Sequence, residues 1–129
     1  MTPRTVDDLL ADARSRLRRL EPGEAQEAMS DGAVLVDIRA ESQRARDGAV
    51  PAAHVVPRNV LEWRADPASE WRDAAIADPG RQVIVMCDEG YQSSLAAATL
   101  QDLGLDGATD LIGGFQAWRR AGLPVSNKP

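Results

Sequence analysis

Cysteine is nearly absent from this chain: its 129 residues include a single Cys, Cys87, and a single His, His54. A lone thiol excludes an internal disulfide, and one Cys with one His cannot assemble a zinc site of the usual ligand count. Neither a structural metal nor a cofactor is expected. Long apolar runs are missing too. Residues 1–20 mix Arg with Asp and hold no continuous hydrophobic stretch, which argues against a secretory signal or a membrane span there. No basic tract exists either, because the net charge is −5 and Arg is interspersed with Asp and Glu, so nucleic acid is not an expected partner. A lone thiol suits a reducing compartment, and the expected location is the cytoplasm.

What remains fits one ordinary domain that buries roughly two-thirds of the surface its unfolded chain exposes. Thr5, with Asp8 three residues on, is a plausible N-cap, and Val6, Leu9, Leu10, Ala13 and Leu17 follow at helical spacing. This predicts an amphipathic helix in an N-terminal extension over residues 1–20, its apolar stripe docked on the domain or on a partner. Glu21-Pro22-Gly23 breaks that pattern, and a short second helix is expected over Glu24 to Met29.

Short β-branched runs follow at Ala33–Val36, His54–Val56 and Gln82–Met86, with a weaker one at Thr109–Ile112. Apolarity that is continuous rather than alternating implies burial on both faces. The class is therefore α/β, a short central parallel sheet flanked by helices on both faces. Asp66-Pro67 reads as an N-cap with Pro at the first helical position, ended by Pro79-Gly80. Trp63 and Trp71 in this region read as core or rim packing.

The segment with chemistry is the run Val83–Cys87 followed by Asp88-Glu89-Gly90-Tyr91-Gln92-Ser93, a buried strand entering a polar loop. The loop opens a helix capped by Ser93 or Ser94, with Ala96, Leu100 and Leu103 on one face and Gly104 past its end. Cys87 thus faces a helix N-terminus at the carboxyl end of a strand, where ligands gather in such sheets and where a thiolate is stabilised. Gly90 lets the backbone turn N–H groups inward as an anion nest. The alternative is that Cys87 is a small core hydrophobe at a strand end.

Cys-x-x-Gly-x-x-Ser at residues 87–93 resembles the active-site loop of rhodanese-type sulfurtransferases. Three further segments are similar to that family: Val36-Asp37-Ile38-Arg39; Gly48-Ala49-Val50-Pro51-Ala52-Ala53; and Leu111-Ile112-Gly113-Gly114-Phe115 with Trp118, followed by Gly122-Leu123-Pro124-Val125. The resemblance spans about residues 21–125 and implies a single rhodanese-like domain over residues 21–129. It also implies a mechanism: Cys87 takes the outer sulfur of a donor as a persulfide, held by loop N–H groups from Asp88 to Ser93, and passes it to a thiol or a sulfur-carrier protein. Two departures stand out. Ala49 and Ala52 replace a His and a Gly of the family motif. The loop carries Asp88 and Glu89 where many thiosulfate-using members have a basic residue, so thiosulfate is expected to be a poor donor.

Asp37 and Arg39 read as an ion pair at a strand end, with Arg39, Arg44 and Arg58 as candidates for reaching an anionic donor. His54 reads as a packing or hydrogen-bonding residue rather than a base. Beside the sulfurtransferase stand two other classes. One is a noncatalytic rhodanese-like interaction or regulatory module. The other is a phosphatase or arsenate reductase, which needs an Arg six residues past the Cys, where this chain has Ser93.

Overall fold

The computed structural model describes residues 2–127. In chain order its elements are α1 (Val6–Ser15), α2 (Pro22–Ser30), β1 (Val34–Asp37), α3 (Glu41–Asp47), β2 (His54–Val55), α4 (Leu61–Ala65) entered through a 3-10 turn, β3 (Val83–Met86), α5 (Gln92–Asp102), β4 (Thr109–Asp110) and α6 (Gly114–Arg120). The strands form one sheet in the order β2-β1-β3-β4, and every pairing is parallel.

Alternation along each strand sends side chains to two separate cores. Val36, Val83, Val85 and Cys87 pack with Leu61, Ala96, Ala97 and Leu100 of α4 and α5 on one face. Leu35, Ile84 and Met86 pack with Ala25 of α2 and Phe115 and Trp118 of α6 on the other. Both faces are covered, as continuous apolar runs require.

Thr5 caps α1 as its spacing predicts: its hydroxyl accepts from the Asp8 N–H at 3.1 Å while the Asp8 carboxylate accepts from the Thr5 N–H at 3.0 Å. The helix ends at Ser15, short of Leu17, and lies along α5. Its stripe is only partly used: Ala13 is buried, and Val6 and Leu9 remain exposed. Beyond α1 the chain runs beside β4. The Leu20 N–H donates to Asp110 O at 3.1 Å and the Ile112 N–H to Leu20 O at 2.9 Å, which covers that sheet edge.

Three expectations need correction. The second helix starts at Pro22 rather than Glu24, because a proline's missing N–H costs nothing in the first helical turn. No helix follows Asp66-Pro67. Side chains there bind the backbone two residues on: Asp66 accepts from Ala68 N–H, Ser69 from Trp71 N–H, Asp73 from Ala75 N–H and Asp78 from Gly80 N–H. Such local bonds compete with the helical ladder, and successive turns replace it. Trp63 and Trp71 are not core residues; they are 58% and 66% exposed and line a surface groove with Val60 and Arg64.

Candidate active site

Cys87 is the first residue past β3, in the middle of the sheet, and is only 3% exposed. What surrounds it follows from where the loop sends its carbonyls. The Phe115 N–H donates to Cys87 O at 2.9 Å and the Gln116 N–H to Asp88 O at 3.1 Å, both from the first turn of α6. Arg14 and Arg19 both donate to Gly90 O, at 2.8 and 3.1 Å. With these carbonyls turned outward, the Gly90 N–H donates to Cys87 Sγ at 3.1 Å. Among the described residues no protein acceptor takes the N–H of Glu89 or Tyr91. The loop thus places one N–H on the sulfur and leaves two more without a protein acceptor.

Two glycine positions are enforced by close approach. Gly90 has φ +88°, and a Cβ there would lie 2.7 Å from Gly113 N; a Cβ on Gly114 would lie 2.5 Å from Cys87 O. The loop and α6 meet backbone to backbone.

Ser93 and Ser94 do not cap α5 through their side chains. The residue before the helix is Tyr91, with no side-chain cap bond. Both hydroxyls instead donate to Asp110 Oδ2, at 2.8 and 2.7 Å, and Arg19 Nε donates to Asp110 Oδ1 at 2.8 Å. A fully buried carboxylate supplies acceptors that a free helix end cannot, so it draws the serines inward. Ser93 therefore lies beneath the loop. Tyr91, Gln92 and Glu89 are exposed, and Arg14 sits 5.6 Å from the Tyr91 ring. Asp88 is turned aside, its Oδ1 accepting from Gln116 Nε2 at 3.0 Å. The same amide reaches Asp47, whose carboxyl is lowered to about 2 by its bond from Arg46, helped by Gln116 and the nearby Arg119 charge, with desolvation opposing.

The Asp37–Arg39 pair forms, wholly buried, at 2.9 Å, with Arg39 also donating to Gly48 O at 2.9 Å and lying 3.8 Å over the Phe115 ring. The Arg39 guanidinium is therefore a core group, although Arg39 is among the residues that line the neighbouring cleft. A cleft of about 470 Å³ lies beside the loop at the carboxyl ends of β1 and β2, lined by Glu41, Arg44, Arg58, Asn59 and Gln92 among others. Arg58 is engaged there by Glu62 at 2.9 Å. Arg44 donates to Arg39 O at 2.7 Å, and among the described residues no carboxylate pairs with it. His54 bonds Asp73, away from the sulfur.

Sequence reasoning missed Arg14, Arg19 and Asp110. Asp110 left a signal: an acid in a buried strand must have partners, and Arg19 and two serines are those partners.

A sequence model of the rhodanese-like domain matches residues 21–121. The chain belongs to this family. Among curated relatives it is similar to thiosulfate sulfurtransferase GlpE of Haemophilus influenzae, 32% identical over 108 residues covering 84% of this chain and 93% of the relative. GlpE of Pseudomonas fluorescens is 34% identical over 105 residues, covering 81% and 87%. Among solved structures, a Rhodopseudomonas palustris protein of unknown function, described as a possible tyrosine phosphatase, superposes with a TM-score of 0.88 at 32% identity over 98% of this chain and 97% of that one. The human single-domain sulfurtransferase TSTD1 shares the fold at a TM-score of 0.65 and 23% identity, covering 79% and 95%.

The rhodanese-like segments read from the sequence are one connected structure. Arg39 bonds Gly48 and stacks on Phe115, Phe115 bonds Cys87, and Gly113 packs on Gly90. Among the described residues no helix is long and apolar enough to cross a membrane.

Proposed function

We propose that this rhodanese-like protein is a sulfurtransferase that carries sulfane sulfur on Cys87, and the observation that carries the reading is the Gly90 N–H aimed at Sγ at 3.1 Å. A core cysteine has no use for a loop whose carbonyls at Cys87, Asp88 and Gly90 are drawn away to other partners. A sulfur anion does, because N–H groups stabilise it as they stabilise other anions. The Cys87 thiolate attacks the outer sulfur of a persulfide donor, the donor's S–S bond breaks, and its inner sulfur leaves as a thiolate. An acceptor thiolate then attacks the outer sulfur of the Cys87 persulfide and regenerates the Cys87 thiolate. Sulfur is transferred with no net oxidation, so the cycle needs no cofactor. Asp88 to Ser93 form the loop around the persulfide, and Arg44 is the cation at the cleft that an anionic donor meets. A reduced thiol is required throughout, which suits the cytoplasm.

The resemblance to the possible tyrosine phosphatase favours a second reading, hydrolysis of a phosphate ester. Against it, Ser93 stands where that chemistry needs an Arg clamp, and its hydroxyl is committed to Asp110. A noncatalytic module is favoured only by the burial of Cys87. Sulfur transfer from glutathione persulfide to a thiol, measured for the wild type and Cys87→Ser, decides among the three. Turnover lost in the Ser variant with its circular dichroism unchanged supports the proposal; equal turnover in both overturns it.

A further inference from the structure

We propose that Arg14 and Arg19, both outside the matched family domain, are positioning residues that hold the active-site loop in its sulfur-binding form. The proposal rests on the sulfur-transfer reading of Cys87. Residues 88–93 contain two acids and no base, yet two guanidinium groups converge on the loop from behind. Both donate to the same atom, Gly90 O, at 2.8 and 3.1 Å.

That carbonyl shares its peptide with the Tyr91 N–H, and in a trans peptide the N–H points opposite to the C=O. Pulling Gly90 O toward the arginines therefore fixes the Tyr91 N–H away from them. The N–H on the other side of Gly90 is the one at Cys87 Sγ. A rotation of the loop that buried Gly90 O would strip two charge-assisted bonds.

The two arginines are anchored differently. Arg19 is locked by buried Asp110, through bonds of 2.8 and 3.2 Å. Arg14 is held by the Ser94 hydroxyl at 3.1 Å, and among the described residues it has no carboxylate partner. Its charge is not cancelled locally, so it supplies behind the loop the positive field that residues 88–93 lack. Helix α1, packed along α5, delivers it.

Arg14 is the residue to test, since changing Arg19 would leave the buried Asp110 charge without its cationic partner and destabilise the chain for an unrelated reason. In the full chain, Arg14→Met keeps the aliphatic stem and removes the donor, and Arg14→Lys keeps a charged donor. Two rates are read: persulfide loading of Cys87 from glutathione persulfide, and alkylation of Cys87 by iodoacetamide at fixed pH, with circular dichroism and the unfolding midpoint as a fold control. The clamp predicts both rates about tenfold lower in Arg14→Met, the loss of roughly one hydrogen bond to a charged group, and substantial rescue in Arg14→Lys. Wild-type values of both rates in a folded Arg14→Met variant overturn the clamp. Alkylation slowed by Arg14→Met in a wild type that takes up no sulfur would instead uphold the clamp and remove the sulfur-transfer reading.

Discussion

Gly90 presents its N–H to Cys87 Sγ at 3.1 Å while its Cα sits so close to Gly113 that a Cβ would come within 2.7 Å of the Gly113 nitrogen. One residue thus binds the sulfur and seats the loop on α6. Gly90→Ala should push the loop off α6 and cost about 1–3 kcal/mol of local strain, lowering the persulfide loading rate by about 5- to 150-fold. Stopped-flow or quenched mass measurements of loading check this. A Gly90→Ala variant that loads at the wild-type rate would show that the loop's backbone conformation is irrelevant to the chemistry.

The buried pair Asp37–Arg39 makes a second expectation. Removing one partner leaves the other charge without compensation in the core, so Asp37→Ala should destabilise the domain by about 3–5 kcal/mol. Arg39 also bonds Gly48 O and stacks on Phe115, whose N–H holds Cys87 O, so sulfur loading should fall with stability. Urea unfolding measures the first effect; a loss under about 1 kcal/mol contradicts the stated role of the pair.

Acid sensitivity follows from carboxyls lowered in the fold. Asp47 lies at about 2, chiefly through its bond from Arg46, and Asp8 and Asp73 are lowered by bonds from Thr5 and from His54. A lowered carboxyl contributes stability above its unfolded pKa, near 4, and loses it as pH falls through the folded value. The urea midpoint should therefore decline between about pH 4 and pH 2. Asp47→Asn should flatten part of that decline, and an unchanged slope would show that Asp47 is not one of its sources.

How much of this was legible beforehand depended on which forces act locally. The parallel sheet, the two-sided core, the Thr5 cap and the place of Cys87 all follow from period and from residues adjacent in sequence. Local side-chain turns at Asp66, Ser69, Asp73 and Asp78 defeated the helix expected after Pro67, because acceptors at those sites compete for the same N–H groups. The serines at 93 and 94 were misread as caps since their real acceptor, Asp110, lies 17 and 16 residues away. Arg14 and Arg19 drew no assignment from the sequence, since nothing near them in sequence marks a carbonyl 76 and 71 residues on.

The acidic loop yields a prediction about the donor. A carboxylate about 7 Å from an incoming dianion, at an effective dielectric near 40, opposes each unit of charge by about 1 kcal/mol. Asp88 is partly engaged by Gln116, whereas Glu89 is exposed, so most of the repulsion is expected from Glu89. Thiosulfate should be a poorer donor than glutathione persulfide. Glu89→Ala should raise thiosulfate kcat/KM by up to about 30-fold at low salt, more than Asp88→Ala does. Steady-state assays at two ionic strengths test this, and no gain in Glu89→Ala means that its carboxylate does not face the donor's path.

The central claim is that Cys87 itself carries the sulfur, and intact-protein mass spectrometry tests it most directly. After incubation with glutathione persulfide and removal of excess donor, the wild type should gain the mass of one sulfur atom, located to Cys87 by peptide mapping and released by added thiol. Cys87→Ser should gain nothing. A wild-type mass that stays unchanged while sulfur transfer proceeds, or an added sulfur that persists in Cys87→Ser, would contradict the account.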